Sequence, residues 1–175
     1  MLRTALIGLG RIGWHFHRMK IVETEGYELC AVVDTCRERL DEAKALHGVN
    51  GYTDYKEMLA AEKPDLVVIA SPTVFHEEHA IGAMEAGCDV ILDKPMAVDY
   101  DAALRIAEAQ KHAGRKLIVY QPYRCNPYVV KAKEIIDAGT IGDIYYVESE
   151  YAHDYSYMGA SWRLDPIKLR HGVIG

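Results

Sequence analysis

The chain has 175 residues, half of them hydrophobic, and a formal net charge of −6, which bounds it to about one domain or one domain and a piece. An acidic chain without a basic run is unsuited to nucleic acid, and no run of 18 apolar residues offers a membrane span. Four cysteines (Cys30, Cys36, Cys88 and Cys125) form no C-x-x-C pair, so they are expected as reduced thiols of a cytoplasmic protein. A first strand starting near Arg3 leaves no room for a signal peptide.

Strands and helices are expected to alternate. "TALIGL" (4–9) reads as a buried strand, 11–23 as a helix, and "ELCAVVD" (28–34) as a second buried strand. Thr35 and Glu38 stand at capping-box spacing, which predicts a helix from there to Gly48. "GYTD" (51–54) is a short strand, and Asp54 with Glu57 starts another helix. "DLVVIAS" (65–71) is apolar without alternation, as a parallel sheet covered on both faces requires. A helix over about 76–86, a strand over 88–93, a helix over 99–114 with Asp99 as its cap, and a strand over 116–121 complete the series. This is the pattern of a doubly wound parallel α/β sheet over residues 1–121. Beyond it, 126–139 reads as a helix. Period-two alternation then runs through Tyr145, Val147, Ser149 and Tyr151, so 122–175 is read as the start of a second, α+β domain.

Three glycines follow the first strand at spacing G-x-G-x-x-G: Gly8, Gly10 and Gly13, with Arg11 and Ile12 between the last two. Each glycine costs about 1 kcal/mol in a helix interior relative to alanine, so this turn must need the missing side chains. Asp34 stands at the tip of the second strand, 21 residues past Gly13. Strand, glycines, helix and distal acid together make the Rossmann dinucleotide fingerprint. Gly8 permits the tight turn, Gly10 lets a pyrophosphate approach the backbone, and Gly13 lets the helix pack on the strand. Free N–H groups at the helix start receive the phosphates. Asp34 is expected to accept bonds from the adenosine ribose hydroxyls and to repel a 2′-phosphate. That favours NAD, while Arg37 nearby leaves NADP open.

These segments resemble the glucose–fructose oxidoreductase, inositol dehydrogenase and MocA (Gfo/Idh/MocA) family of nicotinamide-dependent oxidoreductases. They are "GLGRIG", "SPTVFHEEHAIGAMEAGCDVILDKP" (71–95), "YQPYRCNP" (120–127), "GTIGDIYYVESEY" (139–151) and "WRLDP" (162–166). The resemblance implies a cofactor loop at Ser71, Pro72 and Thr73, a histidine at His76, and the Glu-Lys-Pro motif at Asp93, Lys94 and Pro95, with Asp where Glu is usual. It implies that Lys94 faces both nicotinamide and substrate, and that Arg124 lies near the cofactor. Such a lysine can take the proton as hydride leaves a sugar or cyclitol hydroxyl, and its cation can stabilise a developing alkoxide. The expected partner is therefore a small polyhydroxylated substrate, and the expected assembly a homo-oligomer formed through the second-domain sheet. The family pattern continues past the Trp-Arg segment to a helix with an Asp and a His, which implies an N-terminal part of a longer enzyme. His153 and His171 do not sit in that motif. "HEEH" (76–79) spaces its histidines three apart rather than the four of a zinc protease, and no metal is expected. His76 is expected to order the cofactor loop or cap its helix. The competing reading is a non-catalytic nucleotide-binding or sensing module that keeps the glycine turn without turnover.

Overall fold

The computed structural model describes residues 1–150. Expectations that rest on Tyr151, His153, segment 162–166 and His171 lie outside the described residues. Six strands are formed: β1 (Leu2–Ile7), β2 (Tyr27–Val33), β3 (Asn50–Tyr52), β4 (Leu66–Ile69), β5 (Asp89–Asp93) and β6 (Leu117–Tyr120). The helices are α1 (Arg18–Glu23), α2 (Arg37–His47), α3 (Tyr55–Glu62), α4 (His76–Glu85), α5 (Tyr100–Ala113) and α6 (Pro127–Asp137). The strands form one sheet in the order β3-β2-β1-β4-β5-β6, and every neighbouring pair is parallel. The fold is thus the expected doubly wound α/β sheet. Chain order reverses between β1 and β4, and in such sheets the ligand crevice opens at that switch, outside the strand carboxyl ends.

Successive residues of each strand face opposite helical layers, so both faces must be apolar. Ala5, Ile7, Val67, Ile69, Val90 and Leu92 pack with Met58, Ala80, Met84 and Ile106 from α3, α4 and α5. Leu6, Val32 and Val68 pack with Trp14, Ile21, Leu40 and Ala43 on the α1 and α2 side. Leu6 and Ile69 are fully buried, where truncation to alanine typically costs about 2–5 kcal/mol. The alternation breaks once. Thr4 pairs with Leu29 but Ala5 pairs with Ala31, leaving Cys30 as the extra residue of a β-bulge. Cys30 and Ala31 therefore both face the α3–α5 layer.

Three helices start on a side-chain cap, two of them, at Asp54 and Asp99, as expected. Asp54 accepts from Lys56 N–H at 2.7 Å, Asp99 from Ala102 N–H at 2.8 Å, and Asn126 from Tyr128 N–H at 2.9 Å. The Thr35–Glu38 capping box does not form. Asp34 Oδ1 accepts the Cys36 N–H at 2.9 Å, which folds 34–36 into a turn. The helix then starts at Arg37 with Cys36 at its cap position, and the Cys36 thiol donates to Glu38 Oε2. The predicted first helix is helical throughout 11–23, but Gly13–His17 winds as a π-helix before α1. Residues 144–150 form no strand among the described residues. An isolated extended segment has no neighbour to take its N–H and C=O groups, and Tyr145 is 99% exposed there. No helix among the described residues is long and apolar enough to cross a membrane.

Candidate functional site

The parallel sheet carries the expected site residues to one edge. Gly8, Gly10, Arg11, Ile12 and Gly13 follow β1, Asp34 follows β2, and Ser71, Pro72 and Thr73 follow β4, with His76 opening α4. Asp93 and Lys94 end β5, and Arg124 lies in a short 3-10 turn after β6. All of these strands run parallel, so all of these positions lie at carboxyl ends.

The three glycines have three different surroundings. Gly8 has φ +92°, and a Cβ there would stand 2.6 Å from the Ser71 amide nitrogen. The conformation excludes ordinary side chains, and the loop after β4 fills the space one would need. A Cβ at Gly13 would stand 1.9 Å from the Gly8 carbonyl oxygen, so the helix lies directly on the turn. At Gly10 nothing lies within 4 Å of a built Cβ. Gly8 and Gly13 are thus required by the protein's own packing, whereas Gly10 leaves a bare, open stretch of backbone. That is the cradle a pyrophosphate needs at a strand–helix turn, so these residues fit a dinucleotide.

Asp34 joins the two sides of this cradle. Its Oδ2 accepts the Leu9 N–H at 2.6 Å and its Oδ1 the Cys36 N–H at 2.9 Å. Each carboxylate oxygen keeps a second lone pair for an outside donor. This bracing of the glycine turn was not foreseen from spacing, which suggested only a ribose contact.

The β4 and β5 loops meet through His76, which is 1% exposed. Its Nδ1 lies 2.8 Å from the Pro95 carbonyl oxygen and its Nε2 lies 2.9 Å from that of Ser71. Burial pulls its pKa down, opposed by those carbonyls and by Asp93. Ser71 Oγ lies 3.0 Å from Nδ1 of His79, a ring packed between Tyr55 and Phe75. Burial lowers the His79 pKa to about 4, so the ring is neutral near pH 7. Both HEEH rings therefore lie against the loop after β4 at Ser71, and no metal-binding cluster occurs among the described residues.

Asp93 accepts the Lys94 N–H at 2.9 Å, and the Lys94–Pro95 peptide is cis. The Lys94 and Arg124 side chains are exposed, and neither makes an ion pair among the described residues. Packed on Tyr120 at the end of β6 sits a residue the sequence did not single out as functional. His17 is 5% exposed, its ring lies 5.2 Å from those of Phe16 and Tyr120, and its buried Nε2 has no hydrogen-bond partner among the described residues. Burial lowers its pKa against the pull of Asp93, and burial followed by Asp93 raises that of Tyr120. His17 stands three residues after Trp14 and four before Ile21, both buried, so the helical spacing of that apolar stripe was the signal that could have found it. A separate groove of about 1310 Å³ runs past Tyr55, Lys56, Glu77, Glu78 and Arg115, and neither the glycine turn nor Lys94 lines it.

Comparison with known proteins agrees with this geometry. Residues 2–121 match the model of the Gfo/Idh/MocA oxidoreductase family, NAD-binding Rossmann fold, and residues 129–175 match a C-terminal domain model of the same group. The chain is 34% identical over 148 residues to the D-glucoside 3-dehydrogenase of Escherichia coli (strain K12), covering 82% of this chain and 41% of that protein. It is 37% identical over 145 residues to an inositol 2-dehydrogenase of Streptomyces avermitilis, covering 81% and 42%. Among solved structures, the WlbA dehydrogenase of Bordetella pertussis, in complex with NADH and UDP-GlcNAcA, superposes with a TM-score of 0.78 at 33% identity, covering 82% of this chain and 44% of that one. The chain spans about two fifths of the length of the curated relatives it matches. With an NAD-binding Rossmann fold matched from Leu2 to Gln121 and the glycine cradle built as that fold requires, the chain belongs to the Gfo/Idh/MocA oxidoreductase family.

Proposed function

We propose that this chain is the cofactor-binding part of an NAD-dependent oxidoreductase that converts a secondary hydroxyl of a sugar or cyclitol to a carbonyl. The single observation that carries the proposal is the open backbone at Gly10, set at the switch between β1 and β4 with Lys94 at the end of β5. Residues 1–121 form the nucleotide domain, and 122–175 begin the domain that completes the substrate site. Gly10, Arg11 and Ile12 receive the pyrophosphate on backbone amides, at a turn shaped by Gly8, whose own N–H is held by the Val33 carbonyl, and by Gly13. Asp34 accepts the ribose hydroxyls on its spare lone pairs and disfavours a 2′-phosphate. Ser71, Pro72, Thr73, His76 and Asp93 shape the nicotinamide end, with Arg124 at its rim. Bound there, NAD would supply the acceptor for the hydride of the carbinol carbon. Lys94, entering as the free amine, would take the hydroxyl proton as the carbonyl forms and later release it to water. The names of the glucoside and inositol dehydrogenases among the relatives support the substrate class.

The test compares Lys94→Ala with the parent. NAD affinity is expected to change little, while sugar- or cyclitol-dependent NADH formation in the complete enzyme falls about 100- to 10,000-fold, the range for general acid–base groups. A parent that binds NADP in preference to NAD would overturn the role given to Asp34. NAD binding without turnover on any polyol would favour the sensing module.

A further inference from the structure

The loop bearing Lys94 is tied to the loop after β4 through one buried ring. Both ring nitrogens of His76 face carbonyl oxygens, Pro95 at 2.8 Å and Ser71 at 2.9 Å. A carbonyl only accepts, and a neutral imidazole has a single N–H. A neutral ring therefore bonds one of the two loops and turns a lone pair toward the other. Both contacts are hydrogen bonds only when both nitrogens carry protons. We propose that His76 is the positioning residue for Lys94, a clamp that joins the Ser71 and Pro95 carbonyls when doubly protonated and lets one of them go when it loses a proton. The role rests on the reading of Lys94 as the acid–base group; the clamp itself rests on ring geometry alone.

The titratable groups facing the ring are Asp93, at the end of β5, and His79, one turn along α4. Asp93 and the carbonyls favour the charged ring, but burial outweighs them and holds the pKa below its usual 6.5. The clamp is therefore half made at neutral pH, with a single proton for two carbonyls, and closes as the medium turns acid. Closure fixes Pro95, and through it the Lys94 side chain, against the loop that lies on Gly8.

The experiment uses the 175-residue chain with 15N-labelled histidine, free of cofactor and substrate. Ring-nitrogen shifts and amide-exchange protection of Asp93, Lys94 and Met96 are followed from about pH 8 to about pH 5, with protection corrected for intrinsic exchange. The expected result is one titration step below pH 6.5 in which both His76 nitrogens take protonated shifts. Protection at 93–96 should rise about five-fold across that step, the factor for one hydrogen bond of about 1 kcal/mol. His76→Gln should abolish the step at 93–96, and His79→Gln should keep it. A ring that stays singly protonated throughout overturns the proposal, as does one that protonates without changing residues 93–96. These outcomes are read on the parent chain even if His76→Gln fails to fold. Turnover surviving Lys94→Ala would remove the acid–base role and leave the clamp to be judged on its own titration.

Discussion

Gly10 and Gly13 belong to one motif, yet the structure predicts opposite consequences for changing them. In Gly13→Ala the new methyl would meet the Gly8 carbonyl oxygen at 1.9 Å, about 1.5 Å short of ordinary contact. The obstacle is backbone, so no side chain can swing aside. The helix must retreat, taking Trp14 and Ile21 away from Leu6 and Val68. Overpacking typically costs about 1–3 kcal/mol, and a rigid backbone obstacle puts this case near the upper end, about 3 kcal/mol. For a chain of this length each kcal/mol lowers the melting temperature by roughly 2–4 °C, so the expected fall is about 6–12 °C. In Gly10→Ala the methyl enters space with nothing within 4 Å. Its stability should stay within about 0.5 kcal/mol of the parent, as for surface substitutions, while NAD affinity falls at least ten-fold because the methyl occupies the pyrophosphate's place. The assays are thermal unfolding without ligand and NAD titration by calorimetry. If Gly10→Ala melts as early as Gly13→Ala, or binds NAD as the parent does, the assignment of Gly10 to the ligand and Gly13 to packing is refuted.

Asp34→Ala should lower stability as well as NAD affinity, because the Leu9 and Cys36 amides lose their acceptor; the expected cost without ligand is about 1–3 kcal/mol by denaturant unfolding. Stability should also fall in acid. The His79 pKa is lowered to about 4 in the fold, so its contribution is complete above pH 6.5 and is lost as pH drops through about 4. The loss is on the order of 2 kcal/mol, allowing for partial solvent exposure, and His79→Gln should flatten that part of the pH profile. Alkylation near pH 8 should label exposed Cys36 and Cys125 and spare Cys30 and Cys88 until unfolding, since both are buried and burial pushes the Cys88 thiol up to about 11; peptide mass spectrometry reads the pattern. Self-association should grow with concentration, because α6 exposes Tyr128, Val129, Val130 and Ile136, and sedimentation returning a monomer at every concentration would contradict it.

The fold was legible because it is written in runs rather than in single residues. Strands covered on both faces must be continuously apolar, and "LVVI" between two helices admits little else. The element boundaries were less legible, for local reasons. The first strand was read to Leu9, but the ladder ends at Ile7 because Gly8 turns the chain at φ +92°. The capping box failed because its spacing cannot show that Asp34 already holds the Cys36 N–H. The bulge at Cys30 left no mark in the sequence, since two apolar residues in succession suit a buried strand with or without one.

The site divides along the same line. Residues acting through their own backbone position (Gly8, Gly10 and Gly13) are visible as spacing, because the turn that needs them is local. Residues acting across loops are not. Ser71 and Pro95 are 24 positions apart in sequence, and only the pairing of β4 beside β5 brings their carbonyls to opposite sides of one imidazole. The spacing of His79 already argued against a metal motif, but it gave no sign that Ser71 Oγ would lie at its Nδ1. His17 shares the buried stripe of Trp14 and Ile21, but only the sheet order shows that Tyr120 of β6 packs on its ring. In each case a helix supplies the histidine and a strand end supplies its partner, so the signal exists only once the sheet order is known. The exposed Lys94 directly follows Asp93, the carboxylate that favours the charged form of both His17 and His76 against their burial.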